Sequence, residues 1–157
     1  MRFVRGTAGL LAVAVLAGCG SYTQHDFIAR ADAICASTVR QTRLIAPPSF
    51  TRAPAERLHA LAGYVAQVLP LVRAEVTELR GVRQPTEGGA DRATLQSFLA
   101  AFTQVVAGYQ SLATAAAAGD AAGVARAEAS LSASPVAALA ARYGLRSCGT
   151  PGGTSAS

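Results

Sequence analysis

The chain has 157 residues, 51% of them hydrophobic and 15% charged, with 14 basic side chains against 9 acidic ones. That length suits a single domain. The net charge of +5 is mild and its arginines are scattered, so the basic stripe with interleaved aromatics that nucleic-acid binding requires is absent.

The first element is a leader. Arg2 and Arg5 precede an apolar stretch from about Ala8 to Ala17, and the small residues Ala17 and Gly18 precede Cys19. A basic start, a short apolar middle and a small-residue end are the parts of a secretory signal peptide, here residues 1–18. The apolar stretch falls short of the roughly 20 residues that cross a bilayer. Arg2 and Arg5 are not adjacent, so a twin-arginine signal is not supported.

Leu16-Ala17-Gly18-Cys19 resembles the lipobox of bacterial lipoproteins. The resemblance implies a diacylglyceryl group on the Cys19 thiol, cleavage before Cys19, and acylation of the new amino terminus. It places the protein on the outer face of the cell membrane, with membrane lipid as a partner through acylated Cys19. Two or more acyl chains give stable anchoring, at about 0.8 kcal/mol per buried methylene. The alternative is an ordinary cleaved signal with an incidental cysteine.

Cleavage before Cys19 removes Arg2 and Arg5, leaving twelve arginines against nine acids and no lysine. The lysine deficit and the alanine excess look like the bias of a GC-rich genome. With Cys19 lipidated, Cys35 and Cys148 remain, an even number in an exported chain. Oxidising compartments favour their pairing. Such a bridge closes most of the mature chain into one loop, worth roughly 4–5 kcal/mol in the chain-entropy model. Two buried free thiols are the alternative.

Residues 19–23 form a short lipidated tether, and residues 24–148 the folded domain. Thr23 and Asp26 suit a capping box that opens a first helix over about 24–45. Ile28, Ala31, Cys35, Thr38, Thr42 and Ile45 alternate steps of three and four along its inner face, which Phe27 and Ile34 widen. Pro47-Pro48 ends it. The second helix starts near Ala53 with Pro54 in its first turn. Leu58, Leu61, Val65, Val68, Val72 and Leu79 form its apolar face, helped by Leu69 and Val76, and Pro70 predicts a kink or a break.

A glycine- and proline-bearing loop over 81–90 leads to a third helix that Asp91 is placed to cap. Leu95, Phe98, Phe102, Val105, Tyr109, Leu112 and Ala116 make the cleanest seam in the chain. Asp120 caps a fourth helix over about 121–143, with Val124, Leu131, Val136, Leu139 and Tyr143 inward, a bend at Pro135 and a stop at Gly144. The tail, 149–157, reads as disordered. The fold expected is all-α: an antiparallel four-helix bundle, up-down-up-down, with proline-bent helices. That order returns residues 144–148 alongside the first helix, within reach of Cys35.

Phe27-Ile28-Ala29-Arg30-Ala31-Asp32-Ala33-Ile34-Cys35 and Tyr143-Gly144-Leu145-Arg146-Ser147-Cys148 together resemble small actinobacterial lipoproteins. The resemblance covers both ends of the mature domain and implies a lipidated cysteine, a helical domain and paired cysteines. It implies no activity, no catalytic residue and no cofactor.

The chemistry-bearing residues are few. Glu56 and His59 have the Glu-x-x-His spacing of di-iron bundles, but that site needs two such motifs and further inward glutamates. His59 falls beside the apolar face defined by Leu58 and Leu61, in water, and His25 lies at the edge of the first helix. Asp32, Glu75 and Glu78 read as solubilising groups on exposed faces. Arg30, Arg40 and Arg43 are candidates for anionic headgroups, with a solvated helix face the stronger account. No serine sits in a nucleophile elbow and no glycine-rich stretch has phosphate-loop spacing. The reading is a membrane-anchored, non-enzymatic module that binds a protein or small molecule, or serves the envelope structurally. A groove beside the Pro70 or Pro135 bend is its expected site. A metal carrier or metalloenzyme using Glu56 and His59 is the alternative.

Overall fold

The computed structural model describes residues 22–48, 53–86 and 88–149, with the side chains of residues 89 and 90 excepted. The leader, Cys19 and the tail beyond Gly149 lie outside the described residues. The described chain is helical, with no strand. Its elements are α1 (Gln24–Thr42), α2 (Pro54–Gly81), α3 (Gly89–Ala117), α4 (Ala121–Ser132) and α5 (Val136–Tyr143).

α1 begins as its sequence dictates. The Asp26 amide donates to the Thr23 hydroxyl and the Thr23 amide donates back to the Asp26 carboxylate at 2.9 Å, completing the capping box. The Thr23 amide foremost, and then the Thr23 hydroxyl, which donates to the same carboxylate at 2.7 Å, hold the Asp26 carboxyl below its ordinary range. The helix ends at Thr42, earlier than the prolines require. The Thr42 hydroxyl donates to the Thr38 carbonyl at 3.0 Å, and tight turns through Leu44 and Ile45 take up the next carbonyls.

Pro70 and Pro135 behave differently. α2 runs unbroken from Pro54 to Gly81 with Pro70 inside it. Pro70 and Ala66 are both exposed, so the carbonyl that proline leaves without a donor faces water. Pro135, expected to bend a single helix, instead separates α4 from α5 and stands as the N-cap of α5. The flanking Ser132 and Ser134 are weak helix formers, and the Ser134 hydroxyl accepts from the Val136 amide at the new start. The fourth column of the bundle is therefore two helices rather than one. Asp91 is also displaced from its expected role: Gly88, at φ +86°, is the N-cap of α3, and Asp91 sits inside the first turn. Asp120 caps α4 as expected, accepting from the Gly123 amide at 2.9 Å.

α3 is the hub, packing against α2, α4 and α5, while α1 packs against α2. All seven of its seam residues from Leu95 to Ala116 are buried. Phe27, Phe98, Phe102, Leu79 and Leu95 are the largest fully buried side chains. Truncating a buried phenylalanine to alanine costs about 3–5 kcal/mol. Gly108 lets α4 approach α3, because a Cβ there would meet Leu131 Cδ2 at 2.7 Å.

The chain end is brought back to its beginning. Gly144, at φ +98°, stops α5 with its amide on the Ala140 and Ala141 carbonyls, and the Leu145 amide also reaches Ala140 at 2.9 Å. Leu145 is buried behind this turn. The Gln24 side-chain amide donates to the Tyr143 carbonyl at 3.2 Å, and the Phe27 and Tyr143 rings meet edge to face. The Asp32 carboxylate accepts from the amides of Arg146 and Ser147 at 2.9 and 2.8 Å. One turn further along α1, Cys35 forms a disulfide with Cys148 across 113 residues of sequence. The end of the chain is thereby tied to α1.

Candidate functional site

The break at Pro135 opens a cleft of about 650 Å³ between α2, α3 and the α4–α5 junction. α2 contributes Leu61, Tyr64 and Val65, and α3 contributes Val105, Tyr109 and Leu112. Glu128, Leu131 and Ser132 come from the end of α4, Ser134 from the junction, and Val136 and Ala137 from α5, with Gly149 closing one side. The local cause is the interruption itself. A continuous helix would carry side chains across residues 133–135, whereas the turn there leaves Leu131 only partly buried. The walls are mostly aliphatic, with a few polar groups, which is the usual make-up of a small-molecule site. Of the two grooves expected beside prolines, this is the one at Pro135. Pro70 contributes nothing to the cleft.

Tyr109 is buried, and its phenol is pushed above its ordinary range by that burial first, then by Tyr64 and Glu75. Glu75 was expected on an exposed face and is not: it is 3% exposed. It shares the inner side of α2 with Val68, Val72 and Leu79, and its Oε2 has no hydrogen-bond partner among the described residues. Burial, followed by the nearby Glu78 carboxylate, pushes its carboxyl up to about 8, so at neutral pH it is mainly the uncharged acid. Glu75 lies off the cleft wall but within electrostatic reach of Tyr109. The signal that could have found it is periodicity, since residues 68, 72, 75 and 79 keep the three-four alternation.

The other candidate residues disperse. Glu56 and His59 are both exposed at the start of α2, and among the described residues no group of three or more histidines, cysteines or acids could hold a metal. His25 is exposed in the first turn of α1, and Glu78 is exposed near the end of α2. Asp32 is not a free solubilising group; it holds two backbone amides of the returning segment. Arg30 and Arg43 stand about 20 Å apart along the α1 axis, with Arg40 between them, so the three do not form one patch. Cys35 and Cys148 are brought together, and both are fully buried.

No family model, no curated protein and no solved structure matches the chain.

Proposed function

We propose that this chain is an exported lipoprotein, held on the outer face of the cell membrane by acylated Cys19, whose helical domain is a non-enzymatic binding module. The cleft at the Pro135 break carries the binding half of the reading. It combines an aliphatic interior, two tyrosines and a sparse set of polar groups, and no described constellation couples a nucleophile to a base. The anchoring half rests on Leu16-Ala17-Gly18-Cys19. Among the described residues no helix is long and apolar enough to cross a membrane.

Each half has its own test. In cells, the native chain partitions with membranes, and the Cys19→Ser variant is released from them; an unchanged membrane fraction refutes lipid anchoring. For binding, small apolar amphiphiles titrated into isotopically labelled protein shift the amide resonances of residues 128–137. If a panel of such probes leaves those resonances in place, the cleft is not a binding site.

A further inference from the structure

Resting on the reading of the cleft as a binding site, we infer that its ligand is a single-headed amphiphilic cation: an apolar body ending in an amine or quaternary ammonium. The body is set by the walls. Leu61, Val65, Val105, Leu112, Leu131 and Val136 present only aliphatic groups, which hold a ligand by removing its surface from water.

The head is set by charge. Among the described residues, Glu128 is the one ionic side chain lining the cleft, and no arginine joins it there. Arg126, two residues earlier on α4, is turned to Asp120 at 3.6 Å. Tyr64 and Tyr109 line the same space, and aromatic rings attract ammonium groups through their quadrupole. A carboxylate or phosphate head would meet Glu128 with no cation to receive it. A neutral head would find the Ser132 and Ser134 hydroxyls but gain nothing from Glu128. The order of preference is therefore cation, neutral, anion.

The test compares decyltrimethylammonium, decanol and decanoate, each below its aggregation concentration. The protein is the chain from residue 19 onward carrying Cys19→Ser, and amide shifts of residues 128–137 are the readout. The expected result is about tenfold tighter binding of decyltrimethylammonium than of decanoate, from one attractive and one repulsive rim interaction. Glu128→Gln should bring the two within about twofold, and because Glu128 is exposed this variant keeps the fold. Decanoate binding as tightly as the cation, or a preference unchanged in Glu128→Gln, overturns the assignment while leaving the cleft a binding site. Silence of residues 128–137 toward all three probes overturns both.

Discussion

Replacing Glu75 with methionine removes a buried acid and leaves a side chain of similar length. The carboxyl titrates at about 8 in the folded chain, against an ordinary value of 4.5. Between those two pH values the unfolded chain has released this proton and the folded chain still holds it. Folding then takes up about one proton, so stability falls as pH rises, by about 1.4 kcal/mol per pH unit, and levels off above pH 8. At pH 7 the accumulated cost is about 3–4 kcal/mol, two and a half units at that slope. The unpartnered Oε2 adds to it at every pH. Urea unfolding followed by circular dichroism at pH 5, 6, 7 and 8, with the disulfide intact, measures the difference. Glu75→Met should be more stable than the native chain at pH 7 by at least about 3 kcal/mol, with the gap narrowing toward pH 4.5 to the constant cost of the buried oxygen. Glu75→Gln should flatten the pH dependence equally while keeping a buried polar group, which separates proton uptake from the burial of polarity. Parallel stability curves for all three proteins from pH 5 to 8 would refute the reasoning.

Opening the Cys35–Cys148 bridge by a double alanine substitution should lower stability by about 2–5 kcal/mol, seen as a lower denaturation midpoint. Asp32→Ala leaves the Arg146 and Ser147 amides without their acceptor and should cost about 1–3 kcal/mol; hydrogen exchange at those two amides should accelerate. Gly144→Ala forces a side chain into a left-handed conformation and should cost about 1–2 kcal/mol in the same urea assay.

The parts of the fold that were readable are those where one periodicity runs without interruption. α3 has neither proline nor charge in its seam, and every position from Leu95 to Ala116 that the alternation selected is buried. The Thr23–Asp26 box and Gly144 were readable because capping is local chemistry. Pro70 and Pro135 were not separable by the same means. Both prolines are exposed; what differs is their flanks, the weak helix formers Ser132 and Ser134 around Pro135 against Leu69 and Leu71 around Pro70. Glu75 was missed because residue type outweighed register: a carboxylate reads as a surface group even when its neighbours at 68, 72 and 79 are all core. The cleft was foreseen only as a place beside a bend. Its volume arises from atoms the α4–α5 turn withholds, and no residue encodes a void. Lipidation at Cys19 remains a matter of four residues of sequence, which lie outside the described chain.

The bridge from α1 to the returning segment also decides how the molecule carries a pull. Tension applied between the amino terminus and the carboxyl terminus enters through the first turns of α1, crosses the sulfur–sulfur bond at Cys35–Cys148, and leaves by the tail. The 112 residues between the two cysteines hang as a closed loop outside that line of force. A pull applied beyond Gly149 is carried past α2 and α3 without stretching them, although Gly149, on the wall of the cleft, lies in its path. The covalent short circuit makes the helical domain a passenger on the strap rather than a link in it.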